Sequence, residues 1–311
     1  MACSAACIKS CLPVRSGLLI FAVGLLFLMP AFAAAMPPGH FLALFPETRD
    51  ENRFFLSIRA DSQESEFPAQ ADRKPEANSQ GDVRHFAEIR KSTATFYHAG
   101  VKTGLAYKNR SLLYLTAGCA LADIDFSFTD ELTPQKRERE YTRNISFDAD
   151  EFPVFGGGIA FRFLRKPALE TSHLSAGMDL QYRYLDFDAD KGALQYKSRL
   201  HEIQLALETS LEKVKWNLFS KIPLEISPYG GAKIIHFIGD ETFFDPENTY
   251  SEENEDEEIP DPIYYSGDLD PGNHISLFAG ASIHITRSLL MTIETRFGDD
   301  DGYAASLTSR F

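Results

Sequence analysis

Carboxylates and histidines near the predicted strand ends are the residues of this sequence that could act as acid–base groups. Asp270 and His274 lie four residues apart, and Asp186 and Asp188 lie two residues apart. A carboxylate beside a histidine can form a general base when the two come within hydrogen-bonding reach. One alternative for function is therefore hydrolysis of a lipid or a peptide. No Gly-rich phosphate loop, nucleotide fingerprint or haem motif occurs, and we predict that the protein is not an enzyme.

The densest acidic stretch, residues 240–261, could hold a metal ion. Carboxylate oxygens are ligands that calcium prefers, and the candidate ligands are Glu252, Glu255, Asp256 and Asp261. Their spacing departs from the Asp-x-Asp-x-Asp-Gly calcium loop, and blocks of charge are usually solvated. We therefore favour a solvated acidic loop and predict no cofactor.

Charge and cysteine content exclude several classes of protein. The formal net charge of −14 argues against nucleic-acid binding. Cys3, Cys7 and Cys11 precede an apolar run, and Cys119 stands alone in the remainder. The sequence therefore predicts no disulfide framework in the mature chain.

The first 35 residues have the layout of a secretory signal peptide. Lys9 and Arg15 precede an apolar run at 17–29, and small residues follow at 31–35. A retained anchor is the alternative, but a spanning helix needs roughly 20 apolar residues, more than this run has. We therefore divide the chain into a signal peptide (1–35), a short lead (36–52) and a β domain (53–311).

From Arg53 onward, apolar and polar residues alternate with a period of two, which indicates β-strands with one apolar face. Longer polar segments alternate with shorter ones between the strands, and an even strand count is typical of membrane barrels. We predict ten strands, with eight as the alternative. The predicted strands are 53–61, 97–107, 113–121, 155–163, 174–184, 203–211, 229–237, 275–285, 289–297 and 303–311.

Two of these strands have irregular patterns. After Leu121 the alternation slips, since Ile124 is apolar and Asp123 and Asp125 are polar. Either a bulge or an exit from the membrane would explain the slip. The stretch 229–237 is apolar on both faces, so its orientation stays open.

The polar faces carry charges that would meet inside a closed barrel. A soluble sandwich also alternates in this way, but aromatic residues gather at several strand ends, as in membrane barrels. We expect ion pairs across a narrow lumen, with Glu294, Arg296 and Arg310 near Arg59 and Asp61 where the barrel closes. The predicted inward charges are Arg59, Asp61, Lys102, Arg162, Asp179, Arg183, Glu202, Glu208, Glu294, Arg296 and Arg310.

The last strand places Tyr303, Leu307 and Phe311 on one face. A closing strand that ends in Phe resembles that of bacterial outer-membrane β-barrels. The resemblance implies a Gram-negative outer-membrane location, and recognition of this strand by the barrel assembly machinery. Ser309 is a polar departure where that family is often apolar.

The resemblance implies a closed, antiparallel, up-and-down transmembrane β-barrel that contacts outer-membrane lipid. We expect a monomer, because a closed barrel leaves no sheet edge. For function we predict a non-enzymatic structural protein or one that displays acidic external loops, with a minor porin as a variant. The alternative is a barrel enzyme that acts on lipid A or peptides at the external rim.

Overall fold

The computed structural model describes residues 40–47, 51–68, 85–132, 140–169, 172–192, 194–218, 222–245, 263–269 and 273–311. These ranges contain one short 3-10 helix, Phe41–Leu44, and no helix that is long and apolar enough to cross a membrane. The strands are β1 Arg53–Pro68, β2 His85–Tyr107, β3 Ser111–Leu132, β4 Glu140–Pro167, β5 His173–Lys191, β6 Leu194–Glu212, β7 Val214–Leu218, β8 Ile222–Asp245, β9 Ile263–Leu269, β10 Asn273–His284, β11 Leu289–Gly298 and β12 Asp300–Arg310.

Ten of these strands form a closed antiparallel wall. Each pairs with its sequence neighbour, β8 pairs with both β6 and β10, and β12 returns to β1 from Phe55↔Arg310 to Ser65↔Asp300. The short strands β7 and β9 both pair along β8, so they continue β6 and β10 rather than add to the wall. The prediction of ten strands is confirmed, and the alternative of eight is wrong.

The wall has two ends. At the turn end lie the short connections at 108–110 and 285–288 and the terminal residue Phe311. At the opposite end, which we call the rim end, the strands extend much further than the sequence predicted. Residues 62–68 continue β1 toward the rim end. In the same region β3 extends as far as Leu132, and β4 begins at Glu140. The predicted loops there are wrong in extent, because the sequence pattern that marks a membrane strand ends before the strand does.

In the turn half, the outward side chains are mostly apolar, and the inward ones include buried charged groups. On β1, Phe54 and Ile58 are exposed whereas Arg59 and Asp61 are buried. A lipid-facing surface requires this arrangement. The exposed apolar side chains include Phe54, Leu56, Ile58, Val101, Leu113, Leu115, Phe155, Phe161, Leu180, Leu205, Leu207, Ile234, Leu277 and Ile293.

In the rim half, the polarity of the two faces is reversed. Along β3, Leu113 and Leu115 are outward, and Asp123 and Asp125 follow them on the same face, while Ile124 is buried inside. The slip in the sequence pattern is thus an exit from the apolar layer, with β3 alternating throughout. A bulge is also present, because the register of β3 and β4 shifts between Ala120 and Ala122. From β2 to β6 the rim half therefore resembles a water-soluble β-structure, polar outside and mostly apolar inside, whereas β1, β8 and β12 also bury Gln63, Glu241 and Asp300 in its interior.

Candidate functional site

The structure buries the predicted inward charges inside the wall, each with at most 7% of its surface exposed. They occupy the lumen of the turn half and the middle of the barrel. The lumen also holds Lys233, Glu212, Glu241 and Asp300, which the sequence pattern did not reveal. Lys233 lies in the stretch that is apolar on both faces, and Asp300 lies in a segment that was predicted to be a turn.

Four residues near the closure of the barrel form an ion-pair network that we call the seam cluster: Arg59, Asp61, Glu294 and Arg296. Arg59 Nε lies 3.1 Å from Asp61 Oδ2, and Arg296 Nη2 lies 3.8 Å from the same oxygen. Glu294 Oε1 lies 3.9 Å from Arg59 Nη2 and 3.6 Å from Arg296 Nε. Two cations and two anions thus neutralise each other where buried charge would otherwise be costly.

Arg310 does not take the place expected for it in this network. Its guanidinium donates to the backbone oxygens of Ala43 at 3.1 Å and Arg287 at 2.9 Å. The expectation for Glu294 and Arg296 agrees with the geometry, and that for Arg310 does not. The reason is that Arg310 is the last residue of β12, at the turn end, where the N-terminal segment enters the lumen.

Tyrosines join the charges across the middle of the lumen. Tyr114 Oη donates to both carboxylate oxygens of Asp179, at 2.8 and 2.9 Å, and Lys102 Nζ lies 3.6 Å above the Tyr114 ring. Tyr229 Oη donates to Glu294 at 2.9 Å. Further buried pairs join Arg183 to Glu202 and Lys233 to Asp300. This layer of the lumen is lined by paired polar and charged side chains.

Residues 40–47, which we call the plug, occupy the lumen at the turn end. The imidazole of His40 is hydrogen-bonded through Nδ1 to Ser282 Oγ at 2.7 Å and through Nε2 to Ser210 Oγ at 2.8 Å. Its ring stacks on Tyr229 with centroids 4.4 Å apart. The sequence analysis treated this segment as a lead, and its only signal was the apolar run Phe41–Phe45.

The apolar side chains of the plug pack against one side of the lumen. Their burial contributes about 1.5–3 kcal/mol for each large side chain. Ordering each of its residues costs about 1–2 kcal/mol, so the two contributions nearly balance. The cluster consists of Phe41, Leu42, Leu44 and Phe45 with Phe55, Ala106, Leu112, Tyr114 and Ala160.

Charged side chains of the wall hold the backbone of the plug. Arg162 donates to Pro46 O at 3.0 Å, and the backbone N–H of Leu42 donates to Glu208 at 3.4 Å. At the mouth, Lys213 pairs with Glu47. The hydrogen bond from the Lys213 ammonium lowers the pKa of the Glu47 carboxyl below its ordinary value.

The rim half is filled by an apolar group that we call the rim cluster. Phe152 and Phe187 stack with centroids 4.8 Å apart, and Phe96 meets Phe187 edge-on at 6.1 Å. A cavity of about 10 Å³, which is the size of one water molecule, lies between this cluster and Arg183 and Glu202. The cluster consists of Ala94, Phe96, Ala120, Ala122, Ile124, Phe147, Ala149, Phe152, Val154, Leu185, Phe187, Ala189, Leu194, Tyr196, Leu200, Ile235 and Phe237.

Of the candidate acid–base residues, Asp186, Asp188 and His274 lie within the described part of the chain, and the structure does not bring these three together. Asp186 and Asp188 face outward on β5, where Asp188 lies 3.1 Å from Lys197. His274 faces inward, and its ring lies 5.1 Å from that of Phe237. Asp270 is outside the described residues. The wall therefore separates the paired aspartates from the histidine.

The candidate metal ligands Glu252, Glu255, Asp256 and Asp261 also lie outside the described residues. Across the described ranges, no group of three or more His, Cys, Asp or Glu side chains could hold a metal ion. In the last hairpin, Asp299 accepts the backbone N–H of Ile275 at 2.8 Å.

Of the proposed insertion signal, Tyr303 and Leu307 lie on the outer face of β12, and Phe311 directly follows the strand. Tyr303 and Phe311 are strongly exposed, and Leu307 is half-buried. β12 is paired on both sides, to β11 and β1. The aromatic side chains are thus available to lipid at both ends of the closing strand.

Comparison with known proteins gives structural neighbours only. The outer membrane protease OmpT of Escherichia coli aligns over 85% of this chain and 98% of its own, with 11% identity and a TM-score of 0.42. The transport unit of the autotransporter AIDA-I, also of Escherichia coli, aligns over 86% and 92%, with 13% identity and a TM-score of 0.34. No protein-family profile and no curated protein sequence matches.

These neighbours are outer-membrane barrel proteins, and TM-scores below 0.5 do not assign the fold of this chain. The pairing of the strands and the outward apolar face carry the assignment instead. The chain has the closed, antiparallel, ten-stranded fold of outer-membrane β-barrels.

Proposed function

We propose that the protein is a non-enzymatic barrel of the outer membrane that is closed to solutes and carries an acidic rim above the lipid. The secretory layout of residues 1–35 supports export, and the apolar belt of the turn half supports insertion. The turn end then faces the periplasm and the rim end faces the outside, as in other outer-membrane barrels.

The filled lumen is the observation that carries the closed state. The plug, the polar network with its seam cluster and the rim cluster occupy three successive levels from the turn end to the rim end. A porin needs a continuous path of water past charged groups, and the narrow ten-stranded wall leaves little room for one. The minor-porin variant is therefore less well supported than a closed structural or display protein.

The outer surface of the rim supports a display role. The outward side chains at this level are mostly carboxylates, with Lys197 and Arg199 on β6 as basic exceptions among the described residues. These carboxylates are carried on strands rather than on loops, so the wall holds them at fixed positions. They include Asp123, Asp125, Asp148, Asp150, Glu151, Asp186, Asp188, Asp190 and Asp240.

Conductance of the purified full-length protein in a planar bilayer tests the closed state. We expect no stable single-channel current, whereas an open porin measured under the same conditions provides the positive control. A reproducible current from folded protein, identified by its heat-modifiable migration on an unboiled gel, would favour the porin instead. Fractionation of the envelope and N-terminal sequencing would test the outer-membrane location and the removal of residues 1–35.

The absence of enzymatic activity has its own test. The separation of His274 from Asp186 and Asp188 by the wall supports it. We expect the folded protein to leave lipid A and unstructured peptides intact. Turnover that is lost in Asp270→Ala and His274→Ala would establish the barrel enzyme.

A further inference from the structure

We propose that the plug is a releasable closure of the turn end, seated in a socket that persists when the plug leaves. The socket consists of the lumen residues that contact residues 40–47. This goes beyond the proposed function, which requires only that the lumen be filled and does not say whether the plug can leave it.

The way the plug is attached is the first argument. Within the described residues, the backbone–backbone hydrogen bond of the plug is internal, from Ala43 N to His40 O. Its contacts with the wall run between a side chain and the backbone or between two side chains. The wall closes on itself without the plug, since β1 pairs with β2 and β12. Release therefore breaks no strand pairing.

The chemistry of the socket is the second argument. The side that meets His40 and the plug backbone consists of hydroxyl and charged groups: Ser210, Ser282, Glu208, Arg162 and Arg310. Water can replace the plug as hydrogen-bond partner for each of these groups. An all-apolar socket would instead have to remain covered, as the rim cluster does.

The opposite side of the socket is apolar and gives the plug a moderate hold. Phe55, Ala106, Leu112 and Ala160 line it, and two of these four are only alanines. Since the gain from burying four plug side chains nearly balances the cost of ordering the segment, the polar contacts decide whether the plug stays. His40 contributes the most of these, with two hydrogen bonds and a stacked ring, and acts as the latch.

Two matched alanine-to-cysteine reporters can detect release. Ala160 lies under the plug and Ala122 lies in the rim cluster, and both are fully buried in paired strands. In a background in which Cys3, Cys7 and Cys11 are replaced by Ser and Cys119 by Ala, full-length Ala160→Cys and Ala122→Cys proteins are treated with a charged maleimide. The fraction labelled is followed over time, with and without His40→Ala.

We expect Ala160→Cys to react slowly in the otherwise unchanged chain and about tenfold faster with His40→Ala, since two hydrogen bonds are lost. We expect Ala122→Cys to stay protected in both. Equal protection of the two reporters would mean that the plug is fixed, and equal labelling would mean that the whole barrel opens. Either result overturns the proposal.

A second latch variant guards against misfolding. Ser210→Ala removes one of the two hydrogen bonds of His40 and should raise the labelling of Ala160→Cys by a smaller factor. Only protein that migrates as a heat-modifiable barrel is counted. Conductance is measured on the same samples. A current from the protein without a latch substitution would reject the closed barrel, and the labelling would still decide whether the plug is released.

Discussion

The two halves of this barrel obey the same alternation with opposite signs. In the turn half the outward side chains of β3 are Leu113 and Leu115, and charged groups of other strands lie in the lumen, whereas further along β3 the outward side chains are Asp123 and Asp125. The backbone pairing of β3 continues through both halves. The change therefore lies in the solvent that each face meets, lipid in one half and water in the other.

The difference also determines what can fill each interior. In the turn half the hydrophobic residues are needed outside, so the lumen is filled by ion pairs and by the plug. In the rim half water covers the outside, so apolar side chains are free to pack inward as in a soluble protein. One chain thus combines a membrane wall with a soluble-type core on the same set of strands.

The largest effect is expected from breaking the charge network of the turn half. Glu294→Ala leaves Arg59 and Arg296 with less compensating charge, and it removes the acceptor of Tyr229. Loss of one partner of a buried pair costs about 3–5 kcal/mol. We expect a lower midpoint of denaturant-induced unfolding. Glu294→Gln, which keeps the shape and a hydrogen-bond acceptor, should lose less, and equal losses would argue against a role of charge.

The comparison of the turn half with the rim half also explains which strands the sequence predicts and which it does not. The outward aliphatic side chains of the turn half alternate so regularly that the phase of β1, β5 and β12 can be predicted from the sequence. The rim strands are missed because Asp on one face and Ala or Phe on the other, without a lipid-facing stripe, look like a polar loop. Period-two patterns carry the side-chain direction, but they do not say which solvent lies outside.

The interior contacts are predictable only in part. Strand phase gives the inward direction of Arg59 and Glu294, but not which partner each one reaches across the lumen. Lys233 is missed because both faces of its stretch are apolar. The plug is missed because Phe41–Phe45 is too short to have a period, and its fit depends on Ser210 and Ser282, which are far away in the sequence.

An intermediate effect is expected when an arginine is placed on the outer face of β3, once in the turn half and once in the rim half. Leu115→Arg puts a cation into the lipid belt, which costs about 2–4 kcal/mol near the bilayer midplane. Asp123→Arg places it in water at the rim, where surface substitutions usually change stability by within about 0.5 kcal/mol. Unfolding midpoints in lipid vesicles measure both. Equal effects would contradict the boundary between the halves.

The smallest effect is expected at the mouth of the plug. Glu47 and Lys213 are partly exposed, and such pairs contribute less than about 1 kcal/mol. Lys213 lowers the pKa of Glu47, and Arg53 and Arg165 add to this effect. The pair therefore stabilises the plug fully at pH values above 4.5, the ordinary pKa of a glutamate. The contribution is lost as pH falls through the lowered pKa.

Glu47→Gln should therefore speed the labelling of Ala160→Cys by less than about fivefold at neutral pH. The proteins with and without Glu47→Gln are incubated for equal times at pH 7 and at pH 3, and a short pulse of labelling then compares them. The carboxyl of Glu47 is protonated as pH falls through its lowered pKa, so the ratio of the two rates should move toward one at the lower pH. A ratio that stays the same at both values would show that the plug is held without this pair, by the other polar contacts and the apolar side of the socket.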